Sequence, residues 1–274
     1  MDADQPQFLP FGEPRKRRLA YRFSDTEAGS DVGLIWLSGF LSDMSSTKAE
    51  ALASWAKRQG LPMLRFDYSG HGLSDGDLRE ASIGDWLAQA RAMLGLLLAT
   101  TERAIVVGSS MGGWIALLLA RKLAQAGRLE RLAGLVLVAP AWDMTERLMW
   151  NEMNDAARAT LLRDGVFYEP SLYGDPYPIT KRLIEEGRKH LIGTSPLALD
   201  LPVRILHGMR DPDVPWGHAI ELVEWLRSDD VELTLVKDGD HRLSREQDLR
   251  RLVATVAALL THRERAERTG PHGK

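Results

Sequence analysis

Short apolar runs alternate with longer segments of helical length along most of the chain, and this alternation constrains the fold more than any other feature. The runs of strand length are Leu19–Phe23, Gly33–Ser38, Met63–Asp67, Ala104–Gly108, Leu135–Ala139, Val203–His207 and Glu232–Lys237, the first of which we expect at a sheet edge. The helical segments are Thr47–Gln59, Ile83–Thr100, Met111–Ala126, Trp216–Arg227 and Ser244–His262. Successive βαβ units build a mostly parallel sheet with helices on its faces. The sequence therefore predicts an α/β fold.

The interval between Pro140 and Pro202 interrupts this alternation. It holds about sixty residues, too many for an ordinary loop in a compact domain, so it must contain helices of its own. It is rich in aromatic residues and methionines, and we expect Trp142, Met149 and Trp150 to bind substrate. We predict one domain over residues 17–262 that includes a helical lid insertion at residues 141–201, with flexible ends at residues 1–16 and 263–274.

The composition excludes several classes of function. The 274 residues include 35 Lys and Arg against 38 Asp and Glu, a formal net charge of −3, which offers no basic surface for nucleic acid or an anionic membrane. The absence of cysteine excludes disulfides, a thiolate nucleophile and a Cys-ligated metal. Covalent chemistry must therefore use oxygen or nitrogen, and we expect neither a metal nor an organic cofactor.

The N-terminal residues guide the expectation about location. Residues Met1 to Phe11 include Asp2 and Asp4 and no apolar run of signal-peptide length, and the later apolar runs are too short to cross a membrane. The start is also unlike the Arg-rich, acid-poor leader of a mitochondrial protein. The sequence therefore predicts a cytoplasmic protein without a membrane span.

The pattern G-x-S-x-G occurs twice, around Ser74 and around Ser110. Ser110 directly follows an apolar strand and precedes a helical segment, which is the strand, sharp turn and helix of a nucleophile elbow. The flanking glycines suit this turn because a side chain there would collide with its neighbours. Ser74 lies several residues beyond its strand and precedes no apolar helix, so we interpret it as a turn residue. The alternative for Ser110 is a helix N-cap in a glycine-rich turn.

An acid and a histidine follow Ser110 in the order that such a site requires. Asp211 comes after the strand Val203–His207, and His241 comes after the last strand, so both lie at the carboxyl edge of a parallel sheet, where catalytic groups collect. His241 would take the proton of Ser110, while Asp211 would orient the histidine ring. Asp213, two residues further along the same loop, is the alternative acid.

Two backbone N–H groups are candidates for an oxyanion hole. The N–H of Met111 stands at the start of the helix that follows Ser110, and the N–H of Phe40 lies in the loop after the strand Gly33–Ser38. Gly39 would let this loop approach a substrate carbonyl closely. Alternatively, Gly39 only ends the strand.

Several motifs together resemble a known family. They are Gly39 to Met44 with Lys48, Arg65 to Gly70, Gly108 to Trp114, His207 to Asp211 with Val214 to Trp216, and Asp240 to Arg242. These residues are similar to those of the animal mitochondrial α/β-hydrolase-domain proteins known for palmitoyl-protein thioesterase and mycophenolic acid acyl-glucuronide esterase activity. The resemblance spans residues 19 to 261 and implies the α/β-hydrolase fold. It also implies a Ser110, His241 and Asp211 triad, with Phe40 and Met111 as oxyanion donors.

The sequence thus predicts a serine hydrolase that cleaves acyl esters or thioesters through an acyl-enzyme intermediate. Its expected partners are a small acyl ester or thioester, or an acylated protein. Two alternatives stay open: an amide, peptide or C–C bond hydrolase with the same triad, and a ligand-binding protein of this fold without catalysis. Haloalkane dehalogenases and epoxide hydrolases are disfavoured because they carry a carboxylate at the position of Ser110.

Overall fold

The structure is a computed structural model that describes residues 5–12, 17–25, 30–170 and 176–269, with side chains as far as residue 261. Its main element is an eight-stranded sheet. In chain order the strands are β1 (Gln7–Phe11), β2 (Arg17–Ser24), β3 (Val32–Leu37), β4 (Met63–Phe66), β5 (Arg103–Ser109), β6 (Leu132–Val138), β10 (Val203–Gly208) and β12 (Val231–Val236). Their order across the sheet is β1-β2-β4-β3-β5-β6-β10-β12.

The pairing within this sheet is mostly parallel. Strands β4, β3, β5, β6, β10 and β12 pair in parallel, whereas β2 pairs antiparallel with both β1 and β4. The central strands β5 and β6 are buried along almost their whole length, which matches their continuous Val, Ile, Leu and Ala content. The predicted α/β class and mostly parallel sheet are confirmed.

Helices cover both faces of the sheet. They are α1 (Thr47–Gln59), α2 (Ile83–Leu97), α3 (Met111–Gln125), α6 (Trp216–Trp225) and α7 (Glu246–Thr269). The hydrophobic core is divided by the sheet: one cluster contains the buried faces of α2, α3 and α6, and the other contains residues of α1 and α7. Single turns of 3₁₀ helix lie at Leu78–Glu80, Leu129–Arg131 and Arg188–His190. None of the helices in the described ranges is long and apolar enough to cross a membrane.

The chain between β6 and β10 carries its own secondary structure. It contains a π-helix (Thr145–Trp150), α4 (Asp155–Asp164), the antiparallel hairpin of β7 (Val166–Glu169) and β8 (Tyr177–Thr180), and α5 (Lys181–Gly187). The short strand β9 (Leu197–Ala198) then pairs with β11 (Leu226–Arg227), which follows α6. A separate apolar cluster within this segment includes Met153, Leu161 and Ile184. The expected helices are therefore present, together with a hairpin that the sequence analysis did not predict.

Parts of the two ends that were predicted to be flexible carry regular secondary structure. Residues Gln7–Phe11 form β1, which takes the sheet edge that was predicted for Leu19–Phe23. This pairing includes a hydrogen bond from the Tyr21 hydroxyl to the Gln7 side chain at 2.8 Å. Helix α7 continues to Thr269, past the predicted boundary at residue 262. The remaining parts of the two predicted ends, residues 1–4, 13–16 and 270–274, lie outside the described residues.

Candidate active site

Ser110 occupies a sharp turn between β5 and α3. Its backbone has φ 53° and ψ −119°, a conformation that non-glycine residues rarely adopt and that concentrates at functional sites. A Cβ atom at Gly108 would lie 2.3 Å from the carbonyl oxygen of Gly112, and one at Gly112 would lie 2.1 Å from that of Leu37. The backbone of this turn is therefore packed so closely that only glycine fits on either side of the serine.

The close packing around Gly112 predicts that one added methyl group lowers the stability of the protein. Gly112→Ala should destabilise the protein by about 1–3 kcal/mol, because the new methyl group meets backbone atoms that cannot move aside easily. Gly95→Ala is the control: Gly95 lies within α2 with open space around it, so alanine should stabilise that helix by about 0.5–1 kcal/mol. Urea unfolding of both variants measures the difference. Equal stability of Gly112→Ala and the unmodified protein would contradict the packing described here.

A chain of hydrogen bonds joins the three residues singled out by sequence. The Nδ1 atom of His241 lies 2.7 Å from Oδ2 of Asp211, and its Nε2 atom lies 3.1 Å from Oγ of Ser110. The carboxylate can only accept, so Nδ1 donates to it, and in the neutral ring Nε2 is left to accept the Ser110 proton. In this arrangement the imidazole can remove the hydroxyl proton as the oxygen attacks a carbonyl carbon.

The carboxylate of Asp211 is held in place by the loop after β10. Its Oδ1 atom accepts N–H bonds from Asp213 at 2.9 Å and Val214 at 2.8 Å. Burial favours the neutral carboxyl, but hydrogen bonds from His207, His241 and Val214 favour the anion more strongly, so the pKa of Asp211 lies below its ordinary value. Asp211 is therefore a permanent anion at neutral pH. The alternative acid, Asp213, uses its backbone N–H to orient Asp211.

Histidine and carboxylate groups at this site also raise the question of a metal ion. One donor atom from each of Asp211, Asp213 and His241 lies within 4.8 Å of the others. However, the Nδ1 atom of His241 is already committed to Asp211, and its Nε2 atom faces Ser110. The donor set thus fits proton transfer better than metal binding.

The two proposed oxyanion donors belong to Met111, which follows Ser110 in the chain, and to Phe40, which lines the same cavity as Ser110. The N–H of Met111 is at the start of α3, where the first helical N–H groups have no partner within the helix. Gly39 lies against Ser110, since a Cβ atom on Gly39 would be 3.2 Å from the Ser110 Cβ. Phe40 follows Gly39 and lines the same cavity as Ser110. The Phe40 ring packs edge-on against Trp86 and Tyr177, with centroids 6.0 and 5.7 Å away.

Ser110 and His241 open into a cavity of about 640 Å³. One part of its lining is apolar and comes mainly from the loop after β3 and the segment between β6 and β10: Phe40, Ala141, Met144, Leu148, Met149 and Tyr177. The other part is polar and comes from the start of α1 and the His241 loop: Ser42, Ser46, Thr47, Lys48, Arg242 and Ser244. The cavity thus presents two chemically different walls beside the nucleophile.

Of the three residues expected to bind substrate, only Met149 is among the described residues that line this cavity. Trp142 is buried beneath it: the Trp142 Nε1–H donates to the carbonyl of His218 at 2.9 Å, and the two rings stack at 4.6 Å. Trp150 packs against Arg158 and Arg188, whose guanidinium carbons lie 5.3 and 5.0 Å from its ring centroid. Trp142 therefore packs the segment against α6, and Trp150 packs within the segment.

Three further cavity residues were not predicted as site residues: Met144, Leu148 and Tyr177. Met144 precedes Leu148 and Met149 by four and five positions, a spacing that places them on one side of a π-helix. Trp150, one position further, points away. The spacing of Met144, Leu148 and Met149 is visible in the sequence. It places all three on one side only in a π-helix, whereas an ordinary α-helix is the usual expectation from sequence.

The second G-x-S-x-G sequence has a structural position. The Ser74 hydroxyl donates to the carbonyl of Asp67 at 2.6 Å and accepts the N–H of Ala20 at 2.8 Å. Asp67 accepts N–H bonds from Met44 at 2.7 Å and Leu73 at 2.8 Å, so it joins two loops. Burial raises the pKa of Asp67 above its ordinary value. Neither residue lines the described cavity.

The sequence and the fold are similar to those of known proteins. Residues 34–167 match the family model described as serine aminopeptidase, S33. The structure superposes with a TM-score of 0.86 on a putative hydrolase from Agrobacterium vitis S4, with 42% sequence identity, covering 93% of this chain and 97% of that one. The chain is therefore an α/β hydrolase.

Two further relatives define the family within that class. The mitochondrial palmitoyl-protein thioesterase of Bos taurus is 34% identical over 236 residues, which cover 85% of this chain and 74% of the relative. The structure of alpha/beta hydrolase domain-containing protein 10 from mouse has a TM-score of 0.81 and 30% identity, covering 94% of this chain and 99% of that one. The chain belongs to this family of α/β-hydrolase-domain thioesterases.

These relatives contradict the predicted cytoplasmic location. The thioesterases of Bos taurus, Pongo abelii and Homo sapiens that match this chain are mitochondrial by name. The prediction rested on acidic residues near the N-terminus and on the lack of an apolar run. Neither feature specifies a compartment. The prediction of a cytoplasmic protein was therefore wrong.

Proposed function

We propose that this protein cleaves acyl thioesters and esters through an acyl-enzyme intermediate, with Ser110 as nucleophile, His241 as general base and Asp211 as the orienting acid. The observation that carries the proposal is the hydrogen-bonded chain from Asp211 through His241 to Ser110, with distances of 2.7 and 3.1 Å. This geometry suits proton removal from the hydroxyl, and the strained turn exposes that hydroxyl to the cavity.

The reaction has two stages. Ser110 Oγ attacks the acyl carbonyl, His241 Nε2 takes the serine proton, and the negative charge on the carbonyl oxygen is stabilised by the N–H groups of Phe40 and Met111. His241 then protonates the departing thiol or alcohol. In the second stage His241 removes a proton from water as the water attacks the acyl carbonyl; the bond to Ser110 Oγ then breaks, His241 returns the proton to Oγ, and the acid is released. His241 thus carries the proton in both stages.

The apolar wall supports an acyl chain as the group bound beside Ser110. The relatives named palmitoyl-protein thioesterases act on a long saturated acyl group, and we extend this preference to the present chain. Met144, Leu148, Met149 and Tyr177 offer apolar surface where such a chain would extend from the serine, and we call these four residues the acyl wall. The segment at residues 141–201 thus serves as a lid that selects the acyl group, within a domain at residues 17–262.

Reaction with a fluorophosphonate tests the proposed function. We expect one label per molecule, on Ser110 by peptide mass spectrometry, and hydrolysis of hexadecanoyl and shorter acyl thioesters. Turnover of aminoacyl amides and peptides without thioester hydrolysis would instead indicate a peptidase. Folded protein that neither reacts with the probe nor hydrolyses any acyl substrate would indicate a binding protein without catalysis.

Shortening Met149 tests the acyl wall. Met149→Ala should lower kcat/KM for a hexadecanoyl thioester about tenfold, because roughly two buried methylene contacts are lost at about 0.8 kcal/mol each. An acetyl ester does not reach this wall, so its turnover should change by less than about twofold. Steady-state kinetics over a series of acyl lengths measures both.

Trp150→Ala is the matched control, since Trp150 is the next residue of the same π-helix and packs against Arg158 and Arg188. It should lower the melting temperature and leave the chain-length profile unchanged. The acyl wall would have to lie elsewhere if Met149→Ala changed stability alone while Trp150→Ala changed the profile.

A further inference from the structure

A buried lysine lies beside the triad without a part in the mechanism proposed above. Lys48 is the second residue of α1 and is only 9% exposed. Its Nζ donates a hydrogen bond to the backbone carbonyl of Arg242, the residue that follows His241. The two residues are 194 positions apart in the chain, so this bond joins distant segments. Lys48 also lines the cavity that contains Ser110.

The position is unfavourable for a lysine in two respects. Removing an ammonium group from water costs free energy, and a positive charge near a helix N-terminus opposes the helix dipole. Leucine or methionine would meet neither penalty. A lysine here therefore needs a purpose other than the stability of α1.

The charges around the ammonium group offset part of this cost. The pKa of Lys48 is lowered to about 8, chiefly by burial; the guanidinium of Arg242 also lowers it, whereas the carboxylates of Asp240, Asp211 and Asp248 raise it. Asp240 and Arg242 flank His241, Asp211 lies in the loop after β10, and Asp248 lies in α7. At pH 7 most molecules thus carry the charged form, whose hydrogen bond to a carbonyl is roughly twice as strong as a neutral one.

The surrounding bonds show which parts of the site the lysine connects. The N–H groups of Met209 and Arg210 donate to the carbonyls of Val236 and Gly239, each at 2.8 Å, and hold the His241 loop to the loop that carries Asp211. The bond from Lys48 instead joins the His241 loop to α1. Helix α1 directly follows the loop with Gly39 and Phe40, so the histidine and an oxyanion donor become parts of one connected unit.

We propose that Lys48 is a positioning residue for His241. By holding the Arg242 carbonyl, its ammonium group sets where the imidazole stands relative to Ser110 and to the Phe40 N–H. The inference rests on the proposed function, since it assigns His241 as the base. A displacement of the imidazole of about 1 Å can reduce the rate about 100-fold, which makes a single anchoring bond important for turnover.

Lys48→Met tests the inference, because methionine keeps the unbranched apolar stem and removes the donor. We expect kcat per active site to fall about 10- to 100-fold, with KM changed by less than about threefold, because the acyl wall is intact. The melting temperature should change little, because the relief of the desolvation cost opposes the loss of the bond to the Arg242 carbonyl. Lys57→Met, an exposed position on the same helix, is the control and should leave both kcat and stability unchanged.

The concentration of active sites is measured from the stoichiometry of fluorophosphonate labelling. Because kcat is calculated per labelled site, misfolded molecules do not lower it. A purely structural role would lower the number of active sites and leave kcat per site at the value of the unmodified enzyme, and this result would overturn the inference. A fully folded variant whose kcat lies within twofold of that of the unmodified enzyme would also overturn the inference. Failure of the proposed function is distinct, because the unmodified enzyme itself would then not hydrolyse acyl thioesters or esters.

The dependence of kcat on pH gives a second test. It can be measured on the unmodified enzyme and does not depend on whether a Lys48 variant folds. In the unmodified enzyme kcat should decline as the pH rises through about 8, because the ammonium group loses its proton and its bond to the Arg242 carbonyl weakens. Lys48→Met should lack this decline, whereas Lys57→Met should retain it. A flat profile for the unmodified enzyme between pH 7 and about 9.5 would count against the inference.

Discussion

Replacing Ser110 with alanine removes turnover of acyl esters and thioesters and leaves the fold intact. The substitution deletes the attacking oxygen, and in enzymes with this type of triad the loss of the nucleophile lowers kcat about a million-fold. Alanine keeps the Cβ atom and loses only one hydrogen bond, the bond to Nε2 of His241. The strained backbone at φ 53° is the same in both proteins, so we expect an unchanged melting temperature. Steady-state kinetics and fluorophosphonate labelling measure the result.

Ser74→Ala is the matched control because Ser74 stands in the other G-x-S-x-G sequence. Its hydroxyl bonds to the backbone of Asp67 and Ala20, so its loss should cost about 1 kcal/mol of stability and leave kcat unchanged. Full activity of Ser110→Ala together with an inactive, folded Ser74→Ala would transfer the nucleophile to Ser74.

Asp211→Asn has the second largest expected effect, a decrease in kcat of about ten-thousand-fold. An amide nitrogen can donate to Nδ1 of His241, which then keeps its proton on Nε2 and is unable to accept the proton of Ser110. The fall should appear in kcat far more than in KM, because the cavity walls that contact the acyl chain are unchanged. Stability should also fall, because Oδ1 then accepts its two backbone N–H bonds as a neutral amide oxygen and no longer as part of a charged carboxylate.

Asp213→Asn serves as the control for the acid. The backbone N–H of Asp213 bonds to Asp211, and that bond survives the substitution, so kcat should fall less than about tenfold. If Asp213→Asn were the more damaging change in kcat, the acid would be Asp213, and the hydrogen bond of 2.7 Å between Asp211 and His241 would have no catalytic role.

The predictable parts of the molecule are those with a local signal. The parallel strands are short apolar runs, and helix α1 was predicted at its observed bounds because a polar turn precedes it and Gly60 ends it in the left-handed conformation. The elbow around Ser110 could be identified because strand, glycines and helix adjoin within one stretch. Asp211 and His241 follow from the rule that the carboxyl ends of parallel strands meet at one edge.

The unpredicted parts depend on contacts between distant residues. Strand β1 alternates half-buried and exposed residues and exists as a strand only because β2 pairs with it, for which residues 7–11 carry no strong local signal. Aromatic content indicated that the segment between β6 and β10 packs against something, but not in which direction Trp142 and Trp150 point. The bond between Lys48 and Arg242 likewise joins residues that no local pattern connects.

Strands β6 and β10 are direct neighbours, with Leu135 opposite Val203 and Val138 opposite Leu206, although some sixty residues separate them in sequence. The register between β6 and β10 therefore does not depend on the length of the chain that connects them. Because the entropy of closing a loop grows only with the logarithm of its length, that connection can lengthen, shorten or refold at small thermodynamic cost. Evolution can thus change the acyl wall in this connection while the turn at Ser110 and the loops of Asp211 and His241 keep their positions. Acyl-group selectivity and the catalytic reaction can therefore change independently of each other within one family.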